Sequence, residues 1–292
     1  MFCVQPCATL AEEPARLQVA VSILPQRFFV EKIGGNLVEV EVMVPPGATP
    51  EQYEPKPRQM SALGRAGIYF ACGVPFETVW LPRLVAANPR ISVIHTEKDI
   101  RKRIIEAHSD HGDESEHAGR HIHEGTDDPH IWLSPPLVML QARAIFEAMA
   151  ANDPRNRSTY ETNYKNFISE LVELDLYLSR IFASTAKPGI FMVFHPAWGY
   201  FADAYGLRQA PVEIEGKEPK AKELDEFIKL ARELGAKAIF VQPQYSPRSA
   251  QIVADAVGAK LVEADDLAPD WDRNLRQVAG RIAAAFGQRR QE

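Results

Sequence analysis

The chain has 292 residues, of which 46% are hydrophobic and 25% charged, so a fibrous or largely disordered protein is excluded. A net charge of −6 gives no global basic surface for nucleic acid. The three cysteines, Cys3, Cys7 and Cys72, are too few for a disulfide scaffold and form no CxxC pair, which excludes thiolate-rich metal sites.

The N-terminal segment and the membrane signals come first in chain order. Residues 1–14 are mildly apolar but lack a basic region and a full apolar core, so they are not a complete signal peptide. We expect residues 1–15 to be either the remnant of a signal peptide, cleaved near Ala11, or a plain terminal segment. No stretch approaches the roughly 18 apolar residues of a membrane span, so none is predicted.

The first half of the chain alternates predicted strands and helices. The strands are predicted at Arg16–Leu24, Leu37–Val44, Gly67–Ala71 and Ile91–His95. The helices are predicted at 25–33, Arg58–Arg65, Glu77–Ala87 and Leu137–Ala150. Between them, residues 106–127 are rich in His, Asp, Glu and Gly without periodicity, which predicts a flexible solvated loop.

One long amphipathic helix follows, predicted to begin near Asp153 and to end before Lys187. Its apolar residues recur every three or four positions: Tyr160, Tyr164, Phe167, Leu171, Leu174, Leu178 and Ile181.

The alternation then restarts. Strands are predicted at Ile190–Phe194, Ala238–Gln242 and Leu261–Glu263, and helices at Ala197–Tyr205, Lys220–Leu234, Pro247–Val257 and Asp270–Phe286. The fold class is therefore α/β, with two parallel-sheet lobes, residues 16–152 and 187–292, joined by one long helix, residues 153–186. Ligands of such sheets bind beyond the carboxyl ends of the strands, so the cleft between the lobes is the expected site.

Four segments place metal-ligating residue types near predicted strand ends or element boundaries. They contain Glu51, His130, His195 and the pair Asp265–Asp266. Each alone is typical of a helix cap or a satisfied hydrogen bond. Together, imidazole nitrogens and carboxylate oxygens can close a shell around a divalent first-row metal.

Longer motifs surround these residues. They are VAVSILPQ at 19–26, VPPGATPEQYEP at 44–55, GVPFETVW at 73–80, DPHIWLSP at 128–135, FHPAWGYFADAYGL at 194–207 and PQYSPRSAQIVADAVGAKLVEADDL at 243–267. In these motifs the chain resembles the cluster A-I substrate-binding proteins of metal ABC transporters, over nearly everything from Leu17 to Phe286. The resemblance implies two lobes bridged by a rigid helix, with the metal between them. It also implies a monomeric, non-enzymatic receptor in the periplasm or another extracytoplasmic space, which delivers its metal to an ABC permease.

The resemblance also implies the ligands. His130, His195 and Asp265 match family ligand positions, while Asp266 stands where members usually carry proline and ranks second. Glu51 is a departure, because the family loop usually has histidine there. Glu51 could ligate directly, ligate through a water, or turn outward. We expect direct ligation, because a carboxylate in a cleft needs a cation to stay ionised cheaply.

The choice of metal is less constrained. Two histidines with two carboxylates suit zinc or manganese. The loop favours zinc, because its imidazoles would hold that metal at weak secondary sites, and zinc receptors of the family often carry such a loop here. The loop histidines are His108, His111, His117, His121 and His123.

Two other functions compete with a zinc or manganese receptor. A zinc-dependent hydrolase would need an open coordination position and a general base, for which Glu51 could be imagined, but the chain has no HExxH motif. A metal buffer or surface adhesin on the same fold would share the site and differ in its partners.

Overall fold

The computed structural model describes residues 16–105, 126–185, 188–212, 221–246 and 248–287. The predicted N-terminal remnant and the predicted weak sites at His108, His111, His117, His121 and His123 lie outside these described residues.

The first lobe is built around a four-stranded parallel sheet with strand order β2-β1-β3-β4. Its strands are β1 (Leu17–Val21), β2 (Val38–Val42), β3 (Ile68–Ala71) and β4 (Ser92–His95). Its helices are α1 (Leu24–Gly34), α2 (Pro57–Leu63), α3 (Pro75–Ala87) and α4 (Pro135–Asn152). The central strand β3 is buried along its whole length, as a strand covered by helices on both faces should be.

The second lobe repeats this plan with strand order β6-β5-β7-β8, again all parallel. Its strands are β5 (Gly189–Val193), β6 (Leu207–Pro211), β7 (Ala238–Val241) and β8 (Lys260–Glu263). Its helices are α6 (Gly199–Tyr205), α7 (Ala221–Glu233), α8 (Arg248–Val257) and α9 (Trp271–Ala285). The two parallel-sheet lobes confirm the predicted fold class.

The long helix α5 (Arg157–Phe182) has 26 residues and packs against α1 and α4 of the first lobe and α6 and α9 of the second. Its buried residues are Tyr160, Phe167, Leu171, Leu174, Leu178 and Phe182. Burying each such side chain contributes about 1.5–3 kcal/mol, so this stripe fixes α5 against both lobes.

Strand β6 is absent from the sequence prediction. It lies at a sheet edge, so only Leu207 and Ala210 are buried while Arg208 is exposed. An edge strand with Arg, Gln and Pro lacks the run of apolar residues by which buried strands are recognised. The preceding helix α6 ends as predicted at Gly206, whose φ of +67° is a left-handed conformation that glycine adopts without strain.

The strand order also fixes the site. In each sheet the first strand lies between the second and the third, so the connections on its two sides run in opposite directions. A crevice therefore opens at the carboxyl ends of β1 and β3 in one sheet, and of β5 and β7 in the other. The following loops of the two sheets carry the residues described next.

Candidate metal centre

Glu51 is held in the loop that follows β2. Gly47, with a φ of +82°, turns this loop, and the backbone carbonyl of Pro50 accepts a hydrogen bond of 3.3 Å from the amide of Phe76 at the start of α3. On the other side, the Tyr245 hydroxyl of the second lobe lies 3.5 Å from Oε2 of Glu51. These contacts direct the carboxylate inward and leave its side chain 22% exposed.

His130 is oriented by a buried acid two residues earlier. Oδ1 of Asp128 accepts the His130 backbone amide at 2.9 Å and lies 2.8 Å from ring Nδ1. An ionised carboxylate only accepts hydrogen bonds, so Nδ1 carries the proton and Nε2 presents a lone pair. The ring is buried and packs 5.1 Å from that of Trp132.

His195 follows β5 and is clamped by Gln242 at the end of β7. The Gln242 side chain accepts from the backbone amide of His195 at 3.3 Å and donates to its carbonyl at 3.1 Å. The imidazole is buried and stacks on the Tyr245 ring, with 4.8 Å between centroids. A buried, stacked imidazole with its backbone held on both sides has little freedom to turn.

Three ligand atoms converge from these elements, and we call them the metal triangle: Glu51 Oε1, His130 Nε2 and His195 Nε2. The two nitrogens are 3.3 Å apart, and Glu51 Oε1 lies 3.8 Å from His130 Nε2 and 3.7 Å from His195 Nε2. In the plane of these three atoms, the point equidistant from them lies about 2.1 Å from each, the length of a zinc–nitrogen or zinc–oxygen bond. Among the described residues, this is the group of His, Cys, Asp and Glu that could hold a metal.

Asp265 lies outside this group. Its Oδ1 accepts hydrogen bonds from Gln244 Nε2 at 2.8 Å and from the Leu267 amide at 2.9 Å. These donors hold the carboxylate on the second-lobe side of the cleft. The geometry therefore joins three of the four sequence-predicted residues and leaves Asp265 outside the metal triangle.

Asp266 is the more buried of the two acids, with 4% of its surface exposed. Oδ1 has no hydrogen-bond partner within the described part of the chain. The pKa of this carboxyl is raised from 3.8 to about 7, chiefly by burial; nearby His195 lowers the pKa, while the negative charges of Glu51 and Asp265 add to the rise. A second carboxyl thus lies close to the metal triangle.

Several supporting residues were not predicted from the sequence. Asp128 and Gln242 hold the two histidines, and neither side chain is part of the metal triangle. The spacing of Asp128 in the DPH motif is a usable signal, because an acid two residues before a ligand histidine can reach its second ring nitrogen. For Gln242 the sequence carries no such signal, since its partner is 47 residues away.

None of the helices in the described ranges is long and apolar enough to cross a membrane.

Comparison with known proteins places the chain among zinc-uptake proteins. It is 29% identical to the high-affinity zinc uptake system protein ZnuA of Bacillus subtilis (strain 168), over 84% of this chain and 76% of that protein. It is 27% identical to the protein of the same name from Yersinia pestis, over 87% and 84% of the two chains.

A solved structure is also similar. The crystal structure of a 138–173 deletion mutant of ZnuA with zinc bound superposes with a TM-score of 0.83 and 41% identity, over 93% of this chain and 98% of that one. Residues 19–285 match the family described as "Zinc-uptake complex component A periplasmic". Because this match spans nearly the whole chain, the protein belongs to that family of zinc-uptake components.

Proposed function

We propose that this chain is an extracytoplasmic receptor that captures zinc and delivers it to the permease of an ABC importer. The observation that carries the proposal is the metal triangle, in which two imidazole nitrogens and one carboxylate oxygen are spaced for a small divalent ion. Membership of the zinc-uptake family and the names of its relatives support the choice of cargo and partner.

Glu51, His130 and His195 are proposed as direct ligands, with Asp265 as the fourth. Since Oδ1 of Asp265 already accepts two hydrogen bonds, Oδ2 would be the atom offered to the ion. This shell of two nitrogens and two oxygens would be closed, as expected of a site that binds without reacting.

Zinc is proposed over manganese. The buried imidazoles favour zinc by ligand type, because zinc stands above manganese in the affinity order of the first-row metals, which peaks at copper. The high-affinity zinc uptake protein of Bacillus subtilis supports the same choice.

A receptor without turnover is proposed in place of a hydrolase. Metal-dependent hydrolysis needs an open position for water and a base beside it. Glu51 is the acid that faces the Nε2 atoms of both histidines, and the position of its Oε1 in the metal triangle suits ligation better than proton transfer. We further propose that the receptor acts as a monomer, since a single chain supplies every ligand named above.

A titration tests the proposal. The metal-stripped protein is titrated with zinc and with manganese, and the bound metal is measured by elemental analysis. We expect one tight zinc per chain, and loss of that tight site in His130→Ala and in His195→Ala.

The matched control is His95→Ala, because His95 has an exposed side chain that pairs with Glu97 away from the metal triangle. It should bind zinc like the unaltered protein. Tight zinc binding that survives both His130→Ala and His195→Ala would show that the site is elsewhere.

A further inference from the structure

A second contact between the lobes lies directly behind His130. The backbone amide of Arg103 donates to the Tyr200 hydroxyl at 2.9 Å, and that hydroxyl donates to the Asp128 carbonyl at 3.0 Å. The Asp128 amide in turn donates to the Arg103 carbonyl at 2.8 Å. Tyr200 belongs to α6 of the second lobe, so one hydroxyl joins two backbone segments of the first lobe to the second.

The Tyr200 hydroxyl is suited to this role. Its residue is 4% exposed, and burial raises the pKa of the phenol to about 12. It therefore stays protonated at neutral pH, able to donate one hydrogen bond while accepting another. Tyr200 also lies only five positions after His195, so the contact acts close to both histidines of the metal triangle.

The Arg103 side chain lies between two carboxylates. Its Nε is 3.9 Å from Oδ2 of Asp128, and its Nη1 is paired with Asp203 on α6. The Asp128 side chain is 2% exposed, whereas that of Asp203 is 59% exposed. The other oxygen of Asp128, Oδ1, is the one that orients His130. The guanidinium therefore lies beside the oxygen of this carboxylate that does not contact the ring.

The first residue of α6 packs directly against this pair. A Cβ at Gly199 would lie 2.9 Å from Arg103 Nε and 2.9 Å from Asp128 Oδ2, closer than real contacts allow. The backbone of α6 is thus packed directly against the ion pair that orients His130.

We propose that Arg103 is a positioning residue for metal binding. Through Asp128 it fixes the ring of His130, and through Tyr200 and Asp203 it holds that ring at its separation from His195 on the other lobe. The 3.3 Å between the two Nε2 atoms suits an ion with bonds of about 2 Å. Arg103 therefore favours zinc over a larger divalent ion such as cadmium. This inference rests on the proposed function, because it assumes that both histidines ligate.

The test compares Arg103→Ala, Arg103→Lys and Tyr200→Phe with the unaltered protein. Zinc and cadmium dissociation constants are measured by competitive titration, and the visible absorption of the cobalt-loaded protein reports ligand geometry. Arg103→Ala should weaken zinc binding by about 10–100-fold, the range for residues that orient metal ligands, and should weaken cadmium binding less. Lysine keeps the charge but not the planar fork, so Arg103→Lys should fall between.

The matched control is Arg143→Ala, an exposed arginine of α4 that pairs with Glu147 four residues later. It should change neither dissociation constant nor the cobalt spectrum. Thermal unfolding of the metal-free variants shows whether a weaker affinity comes from lost positioning or from a fold that has not formed. If Arg103→Ala does not fold, the comparison uses Arg103→Lys and Tyr200→Phe.

The inference is overturned if the folded Arg103 and Tyr200 variants bind zinc within twofold of the unaltered protein with an unchanged cobalt spectrum. In that case His130→Ala and His195→Ala would still lose zinc, so the proposed function would stand. Histidine variants that retain tight zinc would instead overturn both.

Discussion

At the scale of single residues, two buried polar side chains, Asp128 and Gln242, hold the two histidines in place. Asp128 fixes the ring of His130, and Gln242 clamps the backbone of His195. Ordering the ligands before the ion arrives lowers the entropy lost on binding, which is how a small site reaches high affinity. The histidines could be predicted because their motifs are local. Their supports lie up to 47 residues away or act through a ring nitrogen, so a sequence pattern reveals them only in part.

The Glu51 carboxylate gives the first test at this scale. Glu51→Ala should raise the zinc dissociation constant by at least about 10-fold, because it removes one of the three proposed ligands of the metal triangle. Isothermal titration of the metal-free variant measures this. Glu54→Ala, an exposed glutamate of the same loop, is the control and should have no effect. An unchanged affinity in Glu51→Ala would mean that Glu51 acts through water or not at all.

The proposal that Asp265 is the fourth ligand is tested by a pair of variants. Asp265→Asn should weaken zinc binding by about 10-fold or more, since it replaces a charged oxygen ligand by a neutral one. Asp266→Asn, measured in the same titration, should have the smaller effect. The reverse order would assign the fourth position to Asp266, whose buried Oδ1 has no partner among the described residues.

At the scale of secondary-structure elements, Glu77 joins three of the elements that position the site. It lies in the first turn of α3 and accepts hydrogen bonds from Ser22 after β1 and from the amides of Cys72 and Gly73 after β3. Glu77 thereby ties α3 to the strand ends, and α3 in turn holds the Glu51 loop through Phe76 and Pro50. The strands and helices were predictable from periodicity, but this junction was not, because it depends on which loops meet in space.

Glu77 also contributes to the pH dependence of stability. Burial raises its pKa from 4.5 to about 7, so between these values the folded state binds the proton more readily than the unfolded state. The free energy of unfolding should therefore fall as pH rises from about 4.5 to about 7, by about 3 kcal/mol from this group.

Urea unfolding of the metal-free protein at pH 5, 6, 7 and 8 measures the effect. Glu77→Gln, which cannot titrate, should make the slope in this window shallower, whatever its effect on overall stability, and Asp266, whose pKa is also raised to about 7, should supply the slope that remains. The exposed Glu54→Gln is the control and should keep the slope of the unaltered protein. An equal slope in Glu77→Gln would contradict the account.

At the scale of the whole molecule, zinc binding should link the two lobes. Glu51 and His130 belong to the first lobe and His195 to the second, while α5 packs against helices of both. The two sheets share one strand order, and loops that follow strands of both sheets bring Glu51 and His195 within 3.7 Å of each other. The two-lobe plan and the bridging helix were predictable because each depends on long periodic segments. The edge strand β6 was not, because its polar residues face solvent.

Thermal unfolding tests this coupling of metal to the whole fold. Zinc at about 100 times its dissociation constant should stabilise the folded state by about 2.7 kcal/mol, which corresponds to a rise in Tm of roughly 4 °C for a chain of this size. His130→Ala should show no such rise, whereas His95→Ala should show all of it. A zinc-dependent rise of equal size in His130→Ala would place the stabilising metal outside the metal triangle.

The most direct measurement is a crystal structure of the zinc-loaded protein with anomalous diffraction at the zinc edge. The account predicts one strong peak bonded to Glu51 Oε1, His130 Nε2 and His195 Nε2, at about 2.0–2.2 Å from each. A strongest peak located away from these three atoms, or a Glu51 carboxylate turned out of the cleft in the loaded protein, would contradict it.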